Sequence, residues 1–326
     1  MSSIAMDAPL IQLDGVSKFY GKKQALRDIS LTVGKGEIVG LLGRNGAGKS
    51  TMLNVLTGYL PVSEGRVSIG GADMAEKPRE AKRHIGYLPE LPPLYDSMTA
   101  MEYLRFVAKI KRMKDADIEG EAGRICGEVG LLDVRNRLLR NLSKGYRQRA
   151  GVAQAMLGRP DILILDEPTA GLDPKQIVEI RSLIHNFGLG RTVLISSHIL
   201  SEIAEICERI LILREGELVN DCKIGEIGAS LGEIGKLRVR AACEEDECER
   251  ILRNVAEISS LRFIGVEEAG SSDWEIGYDR GGADVRPAIF DALAEAGGKL
   301  LMMKPVEADI EDIFLRMTAS EERHET

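Results

Sequence analysis

The chain has 326 residues, of which 44% are hydrophobic and 29% charged, so it can bury a sizeable core and wholesale disorder is excluded. Its 43 basic and 51 acidic residues give a formal net charge of −8, which disfavours a protein that coats nucleic acid electrostatically. No uninterrupted apolar stretch approaches the ~18 residues of a membrane span, and the start, MSSIAMDAPLIQLDG, lacks the basic and apolar regions of a secretory leader. The five cysteines include no CxxC pair, which indicates reduced, structural thiols.

The first third of the chain alternates short apolar runs with glycine turns. Residues 10–13, 29–33 and 37–42 have the composition of strands, and the last of these, EIVGLL, is apolar almost throughout, as in strands buried on both faces. A glycine-rich loop follows, and we expect a helix to begin near Lys49. The segment from about 85 to 158 is predicted to be mostly helical.

Strands and helices then alternate regularly. Apolar strands are predicted at 162–165, 192–196 and 209–213, and helices at 174–187 and 199–207. Strands separated by helical segments indicate a parallel sheet with helices on its faces.

The pattern changes after Gly216. Residues 223–235 are rich in glycine and weakly patterned, as in a linker. The elements predicted beyond them follow the order β-α-β-β-α-β, with a last helix at 309–317, and this order favours a small α+β unit of the ferredoxin-like type. The expected domains are therefore residues 8–222 and 236–326.

A phosphate-binding loop is predicted between the third strand and the first helix. The segment GRNGAGKST satisfies the pattern G-x-x-x-x-G-K-[ST] through Gly43, Gly48, Lys49 and Ser50, with Arg44, Asn45, Gly46 and Ala47 between them. Glycines let backbone amides turn toward phosphate oxygens, and the helix start adds partial positive charge. We expect Lys49 to reach the β- and γ-phosphates, Ser50 to offer its hydroxyl to Mg²⁺, and Thr51 to bond the α-phosphate. A flexible glycine turn that binds nothing is the alternative, which the flanking strand and helix disfavour.

Two acids end the next apolar strand, ILILDEP. Asp166 stands where the end of a strand can hold Mg²⁺ through its water shell, as phosphate-loop NTPases require. Glu167, one residue further, is expected to polarise the attacking water. An ordinary turn with solvated charges would explain the acidic pair alone, but not its pairing with the phosphate loop.

Four further motifs carry a family resemblance. LSKGYRQR at 142–149 resembles the signature motif of ATP-binding cassette (ABC) ATPases, whose usual form is LSGGQ; AGLDP at 170–174 resembles the D-loop, and ISSHIL at 195–200 the switch-histidine segment. Tyr20 matches the aromatic residue that stacks on adenine. The chain thus resembles an ABC transporter ATP-binding subunit. The segments GYLPE, LSKGYRQR and VEADIEDIFLRMT resemble the gliding-motility-associated, export-type branch of that family.

The resemblance implies a fold and a composite site. The fold would be a phosphate-loop NTPase cassette at residues 8–222, with a RecA-like parallel core sheet, an antiparallel β part and a helical subdomain at about 90–158. Ser143 and the Gly145 amide of one subunit would complete the site on the phosphate loop of the other, so the chain would form a homodimer or heterodimer. His198 would contact the γ-phosphate and order the water that Glu167 polarises, and the catalytic set would be Lys49, Glu167 and His198.

The sequence departs from the family pattern at three positions. Glu90 stands where the family usually has the Q-loop glutamine that touches Mg²⁺; a carboxylate can ligate the metal but cannot donate a hydrogen bond, and Glu90 as a simple loop acid is the alternative. Lys144 replaces the first signature glycine, and Tyr146 replaces the glutamine.

The implied function is that of an ATPase that uses ATP and Mg²⁺ to energise a separately encoded membrane permease, for export, by ATP-driven dimer closure. The protein would lie in the cytoplasm, peripheral on the inner face of the cell membrane, without a nucleic-acid partner. The alternative is a soluble ABC ATPase acting on ribosomes or DNA. Such proteins usually carry two cassettes, or a long coiled coil for which the segment between Lys49 and Ser143 leaves no room.

Two features leave their roles open. The apolar residues around Tyr95 and on the helix with Tyr103 and Phe106 fit either a groove for the membrane partner or an ordinary core. The segment 236–326 fits regulation, dimer contacts or passive stabilisation, and Trp274 most simply anchors its small core.

Overall fold

The computed structural model describes residues 9–224, 234–266, 268, 270–279 and 284–306. The chain divides into two compact units, Met1–Ile224 and Gly225–Thr326. Most of the predicted linker 223–235 and the predicted last helix 309–317 lie outside the described residues.

The first unit contains ten strands and seven α-helices within its described part. The strands are β1 (Ile11–Tyr20), β2 (Lys23–Val33), β3 (Ile38–Leu42), β4 (Glu64–Ile69), β5 (Ala72–Asp73), β6 (Ile85–Leu88), β7 (Ile162–Asp166), β8 (Thr192–Ser197), β9 (Arg209–Arg214) and β10 (Glu217–Lys223). The helices are α1 (Lys49–Leu56), α2 (Pro78–Arg83), α3 (Ala100–Ile110), α4 (Asp115–Glu128), α5 (Lys144–Met156), α6 (Pro174–Gly188) and α7 (Leu200–Ala204).

A six-stranded sheet forms the centre of this unit, in the order β10-β9-β3-β8-β7-β6. The neighbours from β9 to β6 are parallel, and β10 pairs with β9 antiparallel at the edge. Every residue of β7 and of β8 is buried, because both strands are covered on their two faces. The carboxyl ends of β3, β7 and β8 therefore meet at one edge, which is where parallel α/β sheets bind ligands.

A second sheet is antiparallel, in the order β2-β1-β4-β5. One apolar core joins it to the central sheet and to α1, with buried members such as Ile11, Leu31, Leu41, Met52 and Ile164. Helix α1 is therefore clamped between the two sheets, which holds the loop before it in place.

The middle of the chain is helical only from residue 100 onward. The helical segment expected from about residue 85 begins later, because Ile85–Leu88 form strand β6, which pairs with β7 in the central sheet. Helix α3 begins with a capping box in which Thr99 and Glu102 bond each other's backbone N–H groups. Tyr103 on this helix is core, whereas Tyr95 is exposed and packs edge-on against Phe106.

The second unit contains β11 (Ile234–Ala242), α8 (Glu245–Arg253), β12 (Ile258–Gly265), β13 (Ser272–Asp279), α9 (Val285–Glu295) and β14 (Lys299–Val306). Its sheet has the order β12-β13-β11-β14 with all neighbours antiparallel, which is the ferredoxin-like arrangement expected from the β-α-β-β-α-β order. Trp274 is buried in its core beside Phe263, and the indole Nε1–H donates to Ser272 Oγ at 2.9 Å.

The five cysteines of the chain all fall in the described part, and all are buried. Burial raises the pKa of the Cys243 thiol to about 12, which keeps it protonated. Within the described ranges, no helix combines the length and the apolar character needed to cross a membrane.

Candidate active site

The glycine loop lies between the end of β3 and the start of α1. Gly46 and Gly48 have φ angles of 85° and 109°, in the region that glycine reaches without steric cost. A Cβ at Gly48 would also lie 2.8 Å from the carbonyl oxygen of Ala25, so the loop touches the β2 strand there. The loop is therefore a tight glycine-dependent turn ahead of a helix N-terminus, which is a geometry suited to an anion.

Lys49 points back into this loop. Its Nζ donates to the carbonyl oxygen of Gly43 at 2.7 Å and lies 3.4 Å from Oε1 of Glu167. The lysine side chain is 7% exposed and the glutamate side chain 11% exposed. The structure thus brings together the loop lysine and the strand-end glutamate, which are far apart in sequence.

Asp166 is buried at the end of β7. Oδ1 of Asp166 accepts a hydrogen bond from the Ser196 hydroxyl at 2.5 Å, and the Ser50 side chain also hydrogen-bonds the carboxylate. Burial raises the pKa of Asp166, and the nearby charges of Glu167 and Glu90 act in the same direction. A cation beside these acids would favour the ionised form of Asp166.

Glu167 leaves the strand with φ at 46°, which is unusual for a residue other than glycine. Its Oε2 lies 2.8 Å from Nδ1 of His198, whose side chain is 46% exposed. Its backbone N–H donates to Ser196 Oγ at 3.0 Å. The glutamate is therefore fixed at its backbone, and its two carboxylate oxygens have different partners.

These side chains border a cleft of about 910 Å³. The predicted site residues that line it are Tyr20, Arg44, Asn45, Gly46, Gly48, Lys49, Ser50, Thr51, Glu90, Glu167 and His198. Tyr20 is 47% exposed, and Lys18 Nζ lies 5.7 Å from the centre of its ring. Gly43, Ala47 and Asp166 are buried and are not among the residues that line the cleft.

Ser143 and Gly145 lie away from this cleft, since neither is among its lining residues in the described part of the chain. Ser143 caps α5 by accepting a hydrogen bond from the Tyr146 N–H at 3.4 Å. A Cβ at Gly145 would lie 2.7 Å from the Gln176 side chain, so the start of α5 packs closely on α6. Lys144 extends over Gly171, where a Cβ would lie 2.0 Å from the lysine Nζ.

Ser196 is a site residue that the sequence analysis did not single out. It sits opposite Asp166 in the parallel pairing of β7 with β8. The only sequence signal was a pair of serines ending an apolar strand just before His198.

The residues present fit a nucleotide with Mg²⁺. The described ranges contain no group of three or more His, Cys, Asp or Glu that could hold a metal alone. Mg²⁺, however, is commonly bound through one or two carboxylates together with waters and substrate phosphates. The hydroxyl of Ser50 and the carboxylates of Asp166 and Glu90 would offer such an oxygen donor set, since Ser50 and Glu90 line the cleft and Ser50 bonds Asp166.

A parallel strand, a glycine loop with a buried lysine, a helix and an acidic neighbouring strand end together define a phosphate-loop nucleotide-binding protein. Residues 26–170 match the ABC transporter family. The uncharacterized ABC transporter ATP-binding protein sll0415 of Synechocystis sp. (strain ATCC 27184 / PCC 6803 / Kazusa) is 32% identical over 321 residues, covering 95% of this chain and 85% of the relative. The chain belongs to the ABC transporter ATP-binding protein family.

Two further comparisons agree with this assignment. The linearmycin resistance ATP-binding protein LnrL of Bacillus subtilis (strain 168) is 29% identical, covering 95% of this chain and 98% of the relative. The dimeric structure of the ATP-binding cassette MJ0796 in a post-hydrolysis state, bound to ADP and Pi, has a TM-score of 0.61 and 28% identity, covering 66% of this chain and 98% of that chain. The expected fold class and the expected family of ATP-binding, ATP-hydrolysing transporter subunits are confirmed. The gliding-motility-associated branch stays a prediction.

Proposed function

We propose that this protein is the ATPase subunit of an export-type transporter and drives a separately encoded permease by closing a dimer around ATP. The observation that carries the ATP chemistry is the contact of Glu167 with both Lys49 and His198 beside the glycine loop. The similarity to a linearmycin resistance ATP-binding protein over 95% of the chain supports the export role.

Nucleotide binding is assigned to the loop and the β1 strand. The amides of the loop from Gly43 to Gly48 bind the phosphates. The ammonium group of Lys49 leaves Glu167 and pairs with the β- and γ-phosphates. Thr51 bonds the α-phosphate, and Tyr20, half-exposed at the edge of the cleft, stacks on adenine.

Ser50, Asp166 and Glu90 would hold Mg²⁺ together with the phosphate oxygens. The metal, when bound, neutralises charge that develops on the terminal phosphate. Asp166 is the buried member of this set, and its carboxylate is already oriented by the hydroxyls of Ser196 and Ser50.

Glu167 acts as the group that polarises the attacking water. Before nucleotide binds, the ammonium of Lys49 lies 3.4 Å from Oε1 of Glu167 and occupies that side of the carboxylate. A phosphate that draws the lysine away frees this oxygen to accept a hydrogen bond from the attacking water when substrate is present. His198 holds Oε2 through Nδ1, and its exposed ring can reach a γ-phosphate in the cleft.

Two copies of the cassette complete the sites. Ser143 and Gly145 at the N-terminus of α5 supply a hydroxyl, an N–H and a helix dipole to the γ-phosphate held by the neighbouring subunit. The Ser143 hydroxyl accepts from Tyr146 N–H, so its own proton remains available to donate. Asp173, which caps α6 by accepting from Gln176 N–H at 2.9 Å, belongs to the D-loop that joins the two sites.

The domains are assigned accordingly: residues 8–222 are the cassette, with a helical subdomain at about 90–158, and residues 236–326 are a separate α+β domain after the linker 223–235. The protein would act in the cytoplasm on the inner face of the cell membrane, and the exposed Leu91 and Tyr95 are candidates for contact with the permease.

The composite site is tested by mixing two inactive full-length variants. Lys49→Ala removes phosphate binding by the glycine loop, and Ser143→Arg blocks the contact of the signature motif with the neighbouring subunit's nucleotide. Mixing should restore roughly a quarter of the wild-type rate, because random pairing yields half mixed dimers with one intact site in two. No restoration, from variants that each fold and in a protein whose wild type is active as a homodimer, would contradict sites shared between subunits.

The permease is tested by affinity purification of the tagged chain from its native membranes. Co-purification of a polytopic membrane protein supports the transporter role. Co-sedimentation with ribosomes in its place would support the soluble alternative.

A further inference from the structure

We propose that Ser196 is a positioning residue for ATP hydrolysis, and that its single hydroxyl aims the two acids at the end of β7. The inference deepens the proposed function, since it rests on the roles assigned there to Asp166 and Glu167. A positioning residue of this kind touches neither the nucleotide nor the water, and acts only through the groups that do.

Strand register places Ser196 for this task. In the parallel pairing of β7 with β8, Asp166 lies opposite Ser196. The serine is fully buried, and its hydroxyl donates to Oδ1 of Asp166 at 2.5 Å. Oγ of Ser196 also accepts a hydrogen bond from the backbone N–H of Glu167 at 3.0 Å, so this one hydroxyl bridges two consecutive residues.

The second of these bonds holds an unusual backbone. Glu167 turns away from the strand into the left-handed region, with φ at 46°. That conformation persists only where the surroundings enforce it. The bond from Glu167 N–H to Ser196 Oγ anchors the turn, and the turn directs the side chain toward Lys49 and His198.

The first bond orients the proposed metal ligand. With Oδ1 engaged by Ser196, and Ser50 also bonded to the carboxylate, the Asp166 side chain has a defined orientation. Loss of the Ser196 hydroxyl would leave a buried carboxylate oxygen and a partly buried N–H each short of a partner, and both groups would move to find others.

Thr192, at the other end of β8, offers a matched control. Its hydroxyl is also buried, donates to the carbonyl oxygen of Gly34 at 2.8 Å and accepts the N–H of Gly36 at 3.0 Å. Thr192→Ala therefore removes the same donor and acceptor from the same strand, far from the two acids.

The test measures kcat, KM for ATP and thermal stability in full-length variants. Ser196→Ala should lower kcat by at least about tenfold and leave KM within about threefold, because nucleotide binding depends mainly on the loop. Ser196→Thr, which retains a hydroxyl, should recover most of kcat, and Thr192→Ala should keep kcat within about twofold of wild type. A kcat for Ser196→Ala within twofold of wild type, or an equal loss in Thr192→Ala, would overturn the proposal.

A second variant pair separates positioning from general damage. In a Glu167→Gln background, adding Ser196→Ala should change the remaining turnover less than it does in wild type, because the part of its effect that acts by orienting the Glu167 carboxylate is already lost. Fully additive losses would count against the proposal. If Ser196→Ala does not fold, Ser196→Cys keeps the volume with a poor donor and should show the same loss of kcat; wild-type kcat in that variant would overturn the proposal.

Failure of the underlying function gives a different result. Wild-type turnover by Glu167→Gln would remove the role of Glu167 itself, whatever Ser196→Ala does. Loss of turnover in Glu167→Gln together with full activity in Ser196→Ala would leave the function standing and reject Ser196 alone.

Discussion

Lys49 and Glu167 form an ion pair inside the first unit, with Nζ 3.4 Å from Oε1 and both side chains about nine-tenths buried. A buried charge is costly without its partner, so each of these residues depends on the other. A nucleotide whose phosphates attract Lys49 therefore changes the environment of Glu167. This exchange would link binding of the substrate to release of the Glu167 carboxylate from its ion pair.

Glu167→Gln should preserve ATP binding and reduce turnover by at least about 100-fold, because the amide cannot accept the proton of the attacking water. ATP held without hydrolysis should accumulate a closed dimer. Steady-state hydrolysis and light scattering with and without Mg-ATP measure the two effects. Normal hydrolysis in this variant would show that another group acts as the base.

Lys49→Ala should abolish nucleotide binding, because it removes the ammonium that neutralises the β- and γ-phosphates. Calorimetric titration with Mg-ATP measures this directly. Lys35→Ala, at an exposed position, is the control and should bind as wild type does. Binding by Lys49→Ala with wild-type affinity would mean that the loop does not hold the terminal phosphates.

Glu90→Gln should retain ATPase activity within about tenfold, which corresponds to ~1.4 kcal/mol in the barrier. The amide oxygen still serves as a ligand, and removal of the Glu90 charge eliminates one influence that raises the pKa of Asp166. Initial rates across a range of Mg²⁺ concentrations would measure the effect, with Glu90→Ala as the variant that loses the oxygen. Complete inactivity of Glu90→Gln would reveal a specific need for the carboxylate.

Trp274→Ala should destabilise the second unit by about 3–5 kcal/mol, since a large buried ring that is 2% exposed is removed from a small core. If this unit is passive, the ATPase rate per folded molecule should not change. Circular dichroism during urea titration follows the loss. Phe290→Ala, at a 54% exposed position on α9, should be far milder. Equal effects of the two substitutions would contradict a core centred on Trp274.

The fold was predictable wherever one strand carried a continuous apolar run. Strands β3, β7, β8 and β9 begin and end within one or two residues of expectation, because burial on both faces demands such runs. Strand β6 was not predicted because it has only four residues before Pro89. Strand β10 was not predicted because it is an edge strand, ELVNDCK, and edge strands tolerate polar residues. Both strands are defined by their neighbours in the sheet.

The site was predictable where a local motif fixes the geometry. The glycine loop and the acids Asp166 and Glu167 could be assigned from adjacent residues, because a strand-loop-helix unit is a local structure. The bridge through Ser196 was not predictable, since it depends on the register between two strands about 30 residues apart. The meeting of Lys49 with Glu167 likewise depends on the sheet order.

Because all five native thiols are buried, and burial keeps thiols such as Cys207 protonated, they should react slowly with maleimides in the folded protein. A cysteine introduced at the exposed Lys35, outside the proposed nucleotide site, would then be the preferred attachment point for a spin label or a fluorophore. Distances between two such labels could follow the approach of two chains through the catalytic cycle without a cysteine-free background.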